Sequence, residues 1–149
     1  MTNRMQQTCG LVCLPLQRIG AARKWTFMTT MIPSNPAYKR GNVVLILFPH
    51  SDLRTAKLRP ALIIQADRLE TGLPQVIVAM ITSRLFRSNH PSRVTVLLSS
   101  SEGKHSGLLT DSVVMTDNIA TIEVSEIDRV IGRLPMAKVN VALQHTLGL

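Results

Sequence analysis

The sequence predicts a mainly β domain of the α+β class: a small barrel or half-barrel with one C-terminal helix. Three observations predict it. Short apolar, β-branched runs recur along the chain, each bounded by Gly, Pro, Ser or Asn. A helical stripe of any length occurs only near the C-terminus. No internal repeat divides the chain.

The elements follow in order. Pro33-Ser34-Asn35-Pro36 is a turn-rich break that marks a boundary, so residues 38–149 are expected to form the domain. Val43 to Phe48 is a continuous apolar run, the pattern of a buried strand. Pro49 to Leu58 is polar, with His50, Asp52, Arg54 and Lys57, and reads as a loop of the length that tends to carry function. Pro60 cannot sit inside a central strand but can begin one, which sets a second strand at Ala61 to Gln65. Asp67 to Gly72 reads as a turn or short helix. Val76 to Ile81 is a third strand, rich in β-branched residues. Ser83 to Ser92 is a basic loop, and Val94 to Leu98 a fourth strand. Ser99 to Gly107 reads as a Ser/Gly turn. Leu108 to Met115 and Ile119 to Glu123 look like two further strands. Ser125 suits the cap of a short helix with Glu126 and Asp128 in its first turn, where the helix dipole favours acids. Pro135 suits the first position of the last helix. Val139, Leu143 and Leu147 form its stripe, and Gly148 ends it.

Composition bounds the function. The 149 residues are 45% apolar, enough for one domain with a core. The formal charge is +8, which suits an anionic partner, most often nucleic acid. The bland alternative is a merely soluble basic protein. Residues 38–104 carry 10 basic against 4 acidic side chains, so an anion-binding face draws on that half. Aromatics at 3% argue against a base-stacking platform. Residues 1–37 hold Arg4, Arg18, Arg23 and Lys24 and no acid. They read as an unstructured tail or as sequence upstream of the true start, with Met28 and Met31 as alternative starts. Cys9 and Cys13 lack the His or Cys neighbours of a zinc site. Leu11 to Leu16 is too brief for a secretory signal, and no apolar run is long enough to span a membrane.

Three segments carry chemistry. In Leu58-Arg59-Pro60-Ala61-Leu62-Ile63-Ile64, Pro60 forces Arg59 into an extended conformation at the mouth of a strand. Its always-charged, planar guanidinium matches phosphate oxygens, although an Arg before a strand is usually just a solvated charge. In Ile81-Thr82-Ser83, Thr82 ends a strand and can present a hydroxyl at the same sheet end; alone, it is a common β-former. In Gly107-Leu108-Leu109 and Asp111 to Ile119, the polar residues, Asp117 and Asn118 among them, read as turn formers.

Taken in order with Arg40-Gly41-Asn42-Val43-Val44, Phe48-Pro49 and Ile131-Gly132-Arg133-Leu134, these segments resemble the PemK/MazF family of bacterial toxins over residues 38–149. The resemblance implies a homodimeric SH3-like β-barrel in the cytoplasm. Such a toxin cleaves single-stranded RNA at short sequences, without metal or other cofactor. It leaves a 2′,3′-cyclic phosphate and a 5′-hydroxyl, and is blocked by a cognate antitoxin. Operator DNA would be met only as the toxin–antitoxin complex, and no membrane is involved. The family's catalytic pair falls on Arg59 and Thr82. His50 and His90 are carried over as further catalytic candidates, with Arg93 beside them, although their spacing departs from the pattern. Lys57, Ser83, Arg84, Arg87, Arg93 and Arg54 are expected to hold RNA, with Lys104 as an outlying candidate; a solvated basic surface is the competing reading for each. A preorganised Arg stabilises the charge that gathers on phosphoryl oxygens, and the 2′-hydroxyl requirement explains RNA over DNA. Arg59 and Thr82 do not supply a general base, whereas a His could.

Three rivals remain at this stage. A gyrase poison of the same fold would use a Trp near the chain end, and the end His145-Thr146-Leu147-Gly148-Leu149 has none. An inactive toxin serving as a co-repressor would not need Arg59 and Thr82. A DNA-binding protein would need a recognition helix, and the last helix reads as packed on the sheet.

Overall fold

The computed structural model describes residues 38–49 and 56–149. The elements are β1 (Asn42–Pro49), β2 (Ala56–Ile63), β3 (Gln75–Thr82), a 3-10 turn (Leu85–Arg87), β4 (Arg93–Val96), α1 (Ser101–Ser106), β5 (Ser112–Glu123), a second 3-10 turn (Val124–Glu126), β6 (Ile127–Arg133) and α2 (Ala137–Leu147). The strands form one antiparallel sheet in the order β4-β5-β3-β2-β1-β6. The expected mainly β, α+β class with a C-terminal helix is what the chain adopts. The pairing is open, with β4 and β6 at the edges, so among the described residues the sheet is barrel-like without hydrogen-bonded closure.

Alternate residues of each strand feed two apolar clusters, one on each face of the sheet. Val43, Leu62, Ala79, Ile81 and Val114 pack with Leu134 and with Val139 and Leu143 of α2. Val44, Ile46, Ala61, Ile63, Val78 and Met80 pack with Ile122 and Ile127. Strands buried on both faces read as unbroken apolar runs, which is why β1 and β3 were legible. Deleting one such side chain, Leu62→Ala for instance, costs about 2–5 kcal/mol.

Four expectations need correction. Pro60 lies within β2, which begins at Ala56, so Arg59 is mid-strand and not at a strand mouth. Ile64 donates its N–H to Ile77 across the β2–β3 seam, and backbone alternation turns Pro60 to that same side. Pairing there stops at Ala61 opposite Met80, so no donor is missed. The two strands expected over 108–123 are one, β5, interrupted where Ala79 faces Ile119 but Met80 faces Met115; Thr116, Asp117 and Asn118 are left unopposed as a bulge. Ser99 to Gly107 contains a helix, α1, capped by the Ser100 hydroxyl, which accepts from the Gly103 N–H at 3.0 Å. The acidic segment after Ser125 is the edge strand β6, preceded by a 3-10 turn.

Two glycines explain how α1 meets β6. Gly107 ends α1 in the left-handed region at φ 68°, and a Cβ on it would lie 2.0 Å from the Ile131 carbonyl oxygen. A Cβ on Gly132 would lie 2.3 Å from the Ser106 backbone. The two backbones touch, and only residues without side chains fit. Just before β1, the Arg40 guanidinium donates to the Ile64 carbonyl and to Asn140 Oδ1 of α2. On α2 itself, Val139 and Leu143 are buried as the stripe predicted, whereas Leu147 is 58% exposed.

Candidate active site

Strand register brings the two leading residues together. Carried two residues past the last β2–β3 pair, the antiparallel count sets Arg59 opposite Thr82. Arg59 shares a pleat face with Ala61 and Ile63, and Thr82 shares one with Met80 and Val78; all four belong to the same cluster. Both side chains therefore stand on one face, at the point where the two strands cease to be hydrogen-bonded. Arg59 and, two residues away on the same face, Lys57 are exposed; Thr82 is half-buried. Thr82 Oγ1 accepts from the Arg84 backbone N–H at 3.3 Å, which leaves the hydroxyl proton to donate elsewhere.

The basic loop after Thr82 folds back over that face. Its 3-10 turn lies against β5, where Arg87 Nη1 reaches Met115 Sδ at 3.8 Å. Ser83 and Arg84 are exposed, and Arg87 is half-buried. Arg93 is not a free phosphate ligand. It donates to Asp117 at 2.8 Å and, through its other nitrogen, to the Arg87 carbonyl at 2.8 Å. It thus ties the loop to the β5 bulge. The hydrogen bond raises the Arg93 pKa and holds the Asp117 carboxyl below its ordinary value; the nearby His90 also lowers the latter. Asp117 is therefore more than the turn former its sequence position suggests, and a strand pattern gives no hint of a partner 24 residues away.

His90 stands apart from the pair. Thr95 shares a row of the sheet with Val113 and Thr82, and His90 lies five residues before it, beside the bulge. Its Nδ1 accepts from the Ser92 N–H at 3.1 Å, so the lone pair a base would use is already occupied. Its ring meets His145 of α2 edge-on, with centroids 5.9 Å apart. Lys104 sits on α1, which packs on β6. His50, Arg54 and the 1–37 extension lie outside the described residues. Among the described residues, no three His, Cys, Asp or Glu side chains converge as a metal site would require, and no helix is long and apolar enough to cross a membrane.

Sequence signals could have found less of the loop. Phe86 is 78% exposed beside Arg87, whose guanidinium carbon lies 5.8 Å from the ring centroid. Thr116 is fully buried, and its Oγ1 contacts the Ser92 carbonyl and Thr146 Oγ1.

Comparison with known proteins gives one answer. Residues 39–147 match the profile described as PemK-like, MazF-like toxin of type II toxin-antitoxin system. The chain is 33% identical over 115 residues to Endoribonuclease EndoA of Bacillus subtilis, spanning 74% of this chain and 95% of that protein. It is 32% identical over 115 residues to Endoribonuclease MazF of Staphylococcus saprophyticus, spanning 74% and 92%. Among solved structures, it resembles an endoribonuclease in complex with its cognate antitoxin from a mycobacterial species. That match has a TM-score of 0.61 at 25% identity, over 76% of this chain and 97% of the other.

Proposed function

The chain belongs to the PemK-like, MazF-like toxins of type II toxin–antitoxin systems, and from that premise we propose that it is an endoribonuclease that cuts single-stranded RNA without a metal ion. The observation that carries the reading is the Arg59–Thr82 juxtaposition: a permanent cation and a spare hydroxyl proton on one face, at an unpaired strand seam. The reaction they fit is internal transesterification. The ribose 2′-oxygen loses its proton and bonds to the adjacent phosphorus. The bond from phosphorus to the 5′-oxygen breaks, and that oxygen takes a proton. The products are a 2′,3′-cyclic phosphate and a 5′-hydroxyl. Arg59 stabilises the charge that develops on the phosphoryl oxygens, and the Thr82 hydroxyl donates to the same group. Holding the 2′-oxygen in line with the departing oxygen supplies much of the remaining acceleration. Lys57, Ser83, Arg84 and Arg87 line the path of the RNA backbone on that face. Arg93 acts through the loop it holds.

The rest of the reading follows from the family. The toxin works in the cytoplasm as a homodimer, and a cognate antitoxin covers the site. The exposed pair Leu47 and Leu58, opposite each other on β1 and β2 and on the sheet face away from Arg59, offers apolar surface for the contact between copies. Residues 38–149 are the functional domain.

The test is cleavage of an end-labelled single-stranded RNA in excess EDTA, followed by analysis of the new ends. Wild type should cut and leave a cyclic phosphate. Arg59→Ala should be slower by about 10²–10³-fold, the usual cost of losing one oxyanion donor. Thr82→Ser should retain activity that Thr82→Val loses. A 2′-deoxy substitution at the cleaved nucleotide should stop the reaction. RNA left intact by wild type, or cut equally fast by Arg59→Ala, overturns the reading.

A further inference from the structure

We infer that Phe86 is a stacking platform for one nucleobase of the RNA, adjacent to the phosphodiester that Arg59 and Thr82 hold; the inference rests on the endoribonuclease reading. Five aromatic residues occur in the chain. Tyr38 packs against the core, whereas Phe86 presents its ring to solvent at 78% exposure. An apolar ring so placed loses burial that a small domain can use.

The loop is rigid by construction. Arg87 N–H donates to the Arg84 carbonyl and Ser88 N–H to the Leu85 carbonyl, closing the 3-10 turn. Arg93 ties the Arg87 carbonyl to Asp117, and Arg87 itself rests on Met115. A platform fixed before binding spends little ordering entropy when a base arrives.

The surroundings select the occupant. From Thr82 to Ser92 the loop carries Arg84, Arg87 and His90 and no acid. A flat apolar ring with the Arg87 guanidinium carbon 5.8 Å from its centroid, on a loop without acids, fits a ligand that is both anionic and planar, which describes a nucleotide better than a peptide. Phe86 lies four positions after Thr82, so their Cα atoms lie at most about 14 Å apart. One or two nucleotides bridge that span. Phe86 is the one Phe, Tyr or Trp between Thr82 and Ser92, and a single ring reads a single base. Stacking tolerates every base yet favours the larger ones, so Phe86 would bias the cleavage sequence at one position.

The experiment uses the full chain and an RNA whose cut sites have first been mapped with wild type. Binding is measured on that RNA with a 2′-deoxy nucleotide at the cut site, and KM and kcat on the cleavable form. Phe86→Ala should weaken binding about 10- to 100-fold, with the loss in KM. Phe86→Leu should behave like Ala, since bulk without a flat face does not stack, and Phe86→Trp should restore binding. An abasic nucleotide next to the cut site should weaken wild type by a similar factor and leave Phe86→Ala unaffected. Circular dichroism and light scattering confirm that each variant is folded and in the wild-type oligomeric state. Wild-type RNA cleavage with unchanged binding in Phe86→Ala overturns this inference alone. So does a change of oligomeric state without the abasic effect, which would make the ring a contact between copies. Failure of wild type to cut any RNA overturns the endoribonuclease reading instead.

Discussion

The Thr116→Val substitution tests how the β5 bulge is held, and its cost can be worked from proton counting. Thr116 is fully buried and makes two hydroxyl contacts, 2.7 Å to the Ser92 carbonyl and 2.6 Å to Thr146 Oγ1. Thr146 Oγ1 also lies 2.8 Å from the Ala142 carbonyl. Three short contacts share two hydroxyl protons, so one contact carries none. Thr116 donates to Ser92, and Thr146 divides its proton between Thr116 and its own helix. Valine keeps the shape of threonine and removes the oxygen. The Ser92 carbonyl retains the Thr116 backbone N–H at 3.0 Å, and Thr146 turns to Ala142, so no buried group is orphaned. The loss is then one to two ordinary hydrogen bonds, about 1–2 kcal/mol, or a Tm lowered by roughly 4 °C. Thr116→Ala should cost about 1 kcal/mol more for the lost methyl group. Thermal and urea unfolding of both variants, with Thr146→Val closing a double-mutant cycle, measure this. An unchanged Tm in Thr116→Val, or additive effects of the two Thr→Val changes, would refute the shared-proton account.

Three further outcomes are expected. Gly132→Ala drives a methyl group into the Ser106 backbone, which cannot move as a side chain end would; about 2–3 kcal/mol of stability should be lost, and a wild-type urea midpoint would rule out the close contact. Because Arg93 depresses the Asp117 pKa, Asp117 stabilises the fold above the unfolded carboxylate value of about 3.9, and that contribution fades as pH falls through the lower folded value. Asp117→Asn should therefore flatten the acid limb of the stability profile in low salt and slow cleavage by loosening the loop; superimposable acid limbs would count against the clamp. RNA binding should fall with salt at a log–log slope of roughly −3, as four phosphate contacts through Lys57, Arg59, Arg84 and Arg87 require, and a flat dependence would remove the charged groove.

What the sequence disclosed follows from which forces are local. The runs of β1 and β3 were legible because a strand buried on both faces has no polar positions to interrupt it. β6 was not, because an edge strand with Asp128 and Arg129 exposed carries charges that also suit a helix start, and its pairing to β1 shifts register twice. Merging two expected strands into β5 and adding β6 kept the count at six while changing which segments were strands. The bulge between Met115 and Ile119 is the costliest omission. It has no apolar signature, yet it supplies Asp117 to Arg93 and Thr116 to α2, and through them fixes the loop beside Thr82.

The pairing of Arg59 with Thr82 was reachable by a different route. Each residue was singled out for its own chemistry, and the resemblance supplied their association. Register then gives the reason they share a face and a row of the sheet. Pro60 removes a backbone donor just where the β2–β3 ladder ends, and one residue beyond it the strand carries a cation in place of an apolar side chain. A proline that had only bounded a strand would have left Arg59 on a loop with many orientations. Inside β2, the pleat assigns Arg59 one face, and β1 continues to hold its backbone opposite Ile46. The same residue that weakens the sheet on one side therefore leaves the other side intact, and that side fixes the face from which the Arg59 side chain emerges.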